Sequence, residues 1–134
     1  MSVWHRSRSD TDPDTFRHMA QEAYRRIPVQ FRRLCGDILI QTPDLPQQEV
    51  LTELGIDSPY GLLGLYHGID VTRKTLFDTG GEVDRIFLYR LPILRFWHEG
   101  TDSLEDIVTH VLVHEIGHHF GLSDDDMHDI EEEN

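Results

Sequence analysis

Between Asp102 and Gly121 the chain reads DSLEDIVTHVLVHEIGHHFG, a stretch whose apolar spacing fits only a helix. Leu104, Ile107, Val108, Val111 and Leu112 recur three and four residues apart and make one buried stripe. Asp102 followed by Glu105 has capping-box form, with Asp in place of the usual Ser or Thr. Gly121 stands where a helix C-terminus takes a left-handed residue. A helix over Ser103–Phe120 is therefore expected.

The stripe leads straight into His114, Glu115 and His118. Residues four apart lie one turn above each other, so the two imidazoles share a face. Two imidazoles so placed can bind one zinc ion at about 2.0–2.1 Å each. Glu115, rotated to the flank, can reach a metal-bound water without ligating the metal, which is the H-E-x-x-H logic of two ligands and one base. His119 lies about 100° around the helix from His118 and is expected to point away as a polar neighbour. His110, one turn before His114, is either a supporting group behind the ligands or a solvated side chain.

The remainder reads as a mixed α/β domain. With 134 residues there is room for one domain and one core. Residues 1–13 are expected to be a flexible arm and 14–134 a single domain. DTFRHMAQEAYRRIPVQFRRL is an amphipathic helix whose Asp14 can cap its start and whose Pro28 bends it or ends its first part. DILIQTP is a short strand, PQQEVLTEL a short helix ending at Gly55, and DSPYG a turn. LLGLYHGI is a strand in which Gly64 and Gly68 suggest close backbone approach or a bulge. RKTLFDTGGEVD is a loop with a Gly-Gly turn. RIFLYRL alternates cleanly, with Ile86, Leu88 and Arg90 on one face and Phe87, Tyr89 and Leu91 on the other. PILRFWHEGTD reads as an irregular connection. SDDDMHDIEEE can start a last short helix capped by Ser123 or Asp124, with Met127 and Ile130 inward.

Charge excludes some partners. The net charge is −13, and residues 101–134 hold eleven acidic side chains with no Lys or Arg. Such a surface repels phosphate backbones, so no nucleic acid is expected as partner. No apolar run approaches the roughly 20 residues that span a membrane, so no membrane is expected either. The single cysteine, Cys35, cannot form an internal disulfide, which fits a cytoplasmic location. Cys35 itself reads as a buried bystander.

The longer string H-E-x-x-H-x-x-G-x-x-D, His114 to Asp124, resembles the zinc signature of metzincin-type metallopeptidases whose third ligand is Asp. LLGLYHGI, DRIFLYRLPI and VTHVLVHEIGHHFGLSDDDM, in this order, look like the small bacterial zincin-like metallopeptidases called minimal zincins. That likeness spans roughly Phe16 to Ile130. It implies a small mixed β-sheet with a backing helix and an active-site helix, and a zinc-dependent hydrolase acting on peptides. By position it implies one Zn2+ held by His114, His118 and Asp124, with Glu115 as general base. Asp124 also reads as a helix cap, in which case a water, His128 or His119 takes the third place. The methionine turn of metzincins has no counterpart at its usual distance, since Met127 is only nine residues past His118.

Candidates for an oxyanion donor or a supporting role are Tyr66, His67, Tyr89, His110 and His119, with His128 a further donor. A peptide or unfolded segment is expected to lie along an edge strand, supplied by DRIFLYR or GLLGLYH. Two other readings remain open. One is a metal-binding module without turnover. The other is a metal-dependent ribonuclease, since His114, His118 and Asp124 have the H-x-x-x-H-x-x-x-x-x-H spacing of a small RNA-processing family except for the last letter. Glu115 weighs against both, and the acidic motif region weighs against the second.

Overall fold

The structure, a computed structural model, describes residues 12–68 and 84–120 together with Asp125. Helix α1 is Pro13–Arg26 and α2 is Val29–Cys35. Strand β1 (Ile38–Gln41), helix α3 (Gln48–Leu54) and one 3-10 turn (Pro59–Gly61) follow. Then come β2 (Gly64–His67), β3 (Asp84–Leu88), α4 (Arg90–Glu99) and α5 (Leu104–Phe120). The expected loop after residue 72, apart from Asp84, the helix stop at Gly121 and the last short helix, Asp125 aside, lie outside the described residues.

Most of the punctuation falls where the residues demand it. Pro28 ends α1 rather than bending it: Ile27 is extended, and α2 starts at Val29. Helix α3 stops at Gly55, whose φ of 70° is the left-handed conformation a helix end favours. The DSPYG turn is the 3-10 turn, with Ser58 Oγ accepting from the Tyr60 N–H at 3.2 Å.

Four expectations are corrected. Asp12, not Asp14, caps α1: its Oδ2 accepts from the N–H groups of Asp14 at 3.2 Å and Thr15 at 3.4 Å. Pro13 occupies the first helical position, where its fixed φ suits and no N–H is missed. The helix thus begins one residue inside the stretch read as an arm.

Second, PILRFWHEGTD is not irregular, because Arg90–Glu99 is helical. Pro92 sits in the first turn of α4, where its missing N–H has no helical partner to lose. The free N–H groups of Arg90 and Leu91 instead donate to the Pro43 and Asp44 carbonyls at 2.8 and 3.1 Å. Third, the alternation of RIFLYRL ends at Leu88. Tyr89 caps α4, and Arg90 opens it instead of continuing the face of Ile86 and Leu88.

Fourth, α5 is capped by Ser103. Its Oγ accepts from the Asp106 N–H at 3.1 Å, and its carbonyl accepts from the Ile107 N–H at 3.1 Å. Asp102 stands outside the helix. Ser103→Ala is therefore expected to cost about 1 kcal/mol in a chemical denaturation curve. Asp102→Ala should stay within about 0.5 kcal/mol. The reverse order would restore the Asp102 cap.

The described strands form one mixed sheet of order β1-β3-β2. β1 pairs with β3 in parallel, Ile38 beside Asp84 and Ile40 beside Ile86. β2 pairs with β3 antiparallel, Gly64 opposite Leu88 and Tyr66 opposite Ile86. One face carries Ile38, Ile40, Gly64, Tyr66, Asp84, Ile86 and Leu88 toward the helices. α5 packs over β2 and β3, and α1 lies beside it against β1. Phe16, Ala20 and Ala23 of α1 meet the buried stripe of α5, where Val108 and Leu112 are fully enclosed. Each such aliphatic side chain contributes about 1.5–3 kcal/mol. The stripe thus fixes the rotation of α5, and the rotation decides where His114, Glu115 and His118 point.

Candidate metal centre

His114 and Glu115 are half-buried on α5 and His118 is exposed. The His114 and His118 ring centroids lie 5.7 Å apart with the rings nearly perpendicular, at 87°. Two imidazoles sharing one tetrahedral zinc at about 2.0–2.1 Å put their ring centres roughly 5 Å apart. The observed spacing and the donor chemistry therefore fit a zinc ion between them. Among the described residues no group of three or more His, Cys, Asp or Glu is gathered for a metal. Of the candidate third ligands from the sequence, Asp124 and His128 lie outside the described residues.

His110 continues the row on the same face. Its ring centroid is 4.1 Å from that of His114, tilted by 45°. His119 does turn away. It stacks on Tyr66 at 3.9 Å and 14°, and meets Phe120 edge-on at 4.8 Å. His67 is exposed at the end of β2, on the sheet face opposite Tyr66, and is not brought to the pair.

Strand β2 approaches α5 with almost no spacer. A Cβ on Gly64 would lie 2.6 Å from Val111 Cγ1 and 3.3 Å from Glu115 Cγ. One on Gly68 would lie 2.5 Å from His119 Cε1. Both glycines are thus sites of close backbone approach, as their place in the strand suggested. The two elements run in the same direction. Gly64 sits at Val111 and Glu115, and Gly68 at His119. Four strand residues span about 13 Å and eight helical residues about 12 Å, so they stay in step.

Glu115 has a pKa raised above the ordinary carboxylate value. Burial is the main cause, opposed by the charge of His118 and by the backbone N–H of Tyr66, which is directed at the carboxylate. That N–H is available because of the strand register. Tyr89 N–H donates to the Leu63 carbonyl at 3.0 Å, so odd-numbered residues of β2 turn their backbone groups to β3. Gly64 and Tyr66 turn theirs to the outer edge, toward Glu115.

Tyr66 and Tyr89 differ in situation. The Tyr66 hydroxyl donates to Asp84 Oδ2 at 3.2 Å, and burial first, then the Asp84 charge, raises its pKa well above the ordinary phenol value. Its hydroxyl is thus engaged with the core rather than with the histidine pair. Tyr89 is buried. Its pKa is raised by desolvation and then by the charge of Glu115.

Asp84 is the residue the sequence gave no reason to single out. It is a buried carboxylate at the start of the central strand, 18 residues from Tyr66, and only the β2–β3 pairing brings the two together. Cys35 is buried beside Tyr24, and desolvation raises its thiol pKa, so it is the inert bystander expected.

No curated protein matches the chain. A family model described as zincin-like metallopeptidase matches residues 35–134. The match takes in the three strands, α4, α5 and the histidine pair, and leaves α1 outside. With a match over about three-quarters of its length, the chain belongs to the zincin-like metallopeptidase family.

Proposed function

We propose that the protein hydrolyses peptide bonds with one zinc ion held by His114, His118 and Asp124, and with Glu115 as general base. The observation that carries this is the half-buried Glu115 carboxylate flanking two imidazoles at a spacing suited to one tetrahedral ion. A zinc ion held there would supply an activated water and would polarise the carbonyl under attack. Glu115 is placed to accept a proton from the nucleophile and to pass it to the leaving amine. Burial makes its carboxylate a stronger base than a solvated one, and His118 and the Tyr66 N–H oppose part of that rise. The substrate is a peptide or an unfolded segment, laid along the outer edge of β2. β3 is excluded from that part because it is paired on both sides. No described helix is long and apolar enough to cross a membrane. The single, buried cysteine supports a cytoplasmic location.

Zinc per chain after reconstitution tests the ligand set. The wild type is expected to hold one ion and His114→Ala or His118→Ala none. Loss in Asp124→Ala with retention in His128→Ala supports Asp124, and the opposite pattern moves the third ligand to His128. A wild-type chain that takes up no zinc overturns the reading.

A further inference from the structure

One cavity touches the histidine row without being part of it. It has a volume of about 390 Å³ and lies between the start of β2, α4 and the first half of α5. Its apolar lining is Leu63, Ile107 and Val111, with Phe96 as a wall, and its polar lining is Asp102, Asp106 and His110. Phe96 is 51% exposed, an unusual position for a large aromatic side chain on a helix that buries Ile93, Leu94 and Trp97. No Lys or Arg among the described residues lines the cavity. Among the described residues neither Asp102 nor Asp106 is in an ion pair.

We propose that this cavity receives the side chain of an arginine or lysine next to the scissile bond of a peptide substrate. The proposal rests on the peptidase reading and names its substrate class. A cavity lined by apolar side chains together with two carboxylates matches a side chain with an aliphatic stem and a cationic head. The stem lies on Leu63, Phe96 and Val111, and the head reaches Asp102 and Asp106.

Position supports it independently. His110 belongs both to the cavity and to the row that contains His114, with 4.1 Å between the ring centroids. Val111 belongs both to the cavity and to the contact with Gly64 on the edge strand. Because β2 and α5 run in step, a peptide on the β2 edge that passes Glu115 reaches the cavity on going toward Leu63. One helical turn is about 5.4 Å, within the reach of a long side chain. A peptide paired antiparallel with β2 runs from the His67 end to the Leu63 end. The cavity therefore takes a residue on the C-terminal side of the cut. The net charge of −13 draws basic peptides to the whole surface, and the cavity makes the choice local.

The test uses the full-length Glu115→Gln protein and two probes, acetyl-arginine amide and acetyl-norleucine amide, which differ in the cationic head. Amide chemical shifts are expected to move at Leu63, Phe96, Asp106 and His110 with the arginine compound, and much less with norleucine. The arginine response should disappear in Asp102→Asn/Asp106→Asn and weaken in high salt.

With the active protein, peptides carrying arginine just after the cut should be cleaved with about tenfold higher kcat/KM than norleucine peptides. That ratio should fall toward one in the double variant. Equal shifts for both probes, shifts on another face, or an arginine preference that survives the double substitution would overturn the proposal. Cleavage of no peptide alongside intact arginine-specific shifts would fail the peptidase reading and leave the cavity assignment standing. Cleavage without arginine preference would do the reverse.

Discussion

Glu115→Gln is expected to retain bound zinc and to lose peptide cleavage by about 10²–10⁴-fold, the usual contribution of a positioned general base. The amide has nearly the shape of the carboxylate, so the close contact with Gly64 and the rotation of α5 are preserved. What it lacks is a site for the proton of the attacking water. Its NH₂ group also cannot accept from the Tyr66 N–H, although its carbonyl oxygen can. Zinc analysis and steady-state rates on the same preparation give the two readings together. Cleavage within a few-fold of wild type would remove Glu115 from the chemistry, and loss of zinc would make it part of the ligand set.

Gly64→Ala is expected to be the most disruptive small substitution in the described chain. The added methyl would lie 2.6 Å from Val111 Cγ1, 3.2 Å from the Phe87 carbonyl oxygen and 3.3 Å from Glu115 Cγ. Neither the β3 backbone nor the buried Val111 can step aside freely. Overpacking of this kind costs about 1–3 kcal/mol. The same displacement moves Glu115, the proposed base, and a misplacement of about 1 Å can lower a rate on the order of 10²-fold. Removing the obstacle should restore part of the loss. In a double-mutant cycle, Gly64→Ala with Val111→Ala is expected to be more stable than the two single effects added together. Strict additivity would show that the methyl finds room elsewhere.

The parts of this molecule that could be read from the chain are those whose causes lie close together in it. α5 announces itself through a stripe at helical spacing, and His114 and His118 share that spacing, so helix and histidine pair were legible at once. Gly64 and Gly68 were legible as points of close approach, although not what approaches them.

α4 was hidden. Pro92 looks like a breaker until its place in the first turn is known, and exposed Phe96 blurs the pattern of Ile93, Leu94 and Trp97. The cap of α5 was misassigned by one residue, because Asp102 and Ser103 are both good caps and local sequence alone does not rank them. The Tyr66–Asp84 contact and the place of β3 between β1 and β2 arise from pairing across long separations, which no local pattern encodes. For the same reason the sequence left DRIFLYR and GLLGLYH as equal candidates for the edge, and the strand order decides between them.

The edge position of β2 also bears on how the protein behaves toward other copies of itself. A strand with open N–H and C=O groups on one side is a template for further strands, and proteins that keep one must limit self-association. Among the described strands the segment of β2 left open is only four residues long, with glycines at Gly64 and just past its end at Gly68. The Glu115 carboxylate, held near the Tyr66 backbone N–H, puts a charged group beside that edge. A charge beside a short edge disfavours sheet extension by a second copy and leaves the edge open to a single peptide. Removing the Glu115 side chain is therefore expected to raise self-association, read by light scattering.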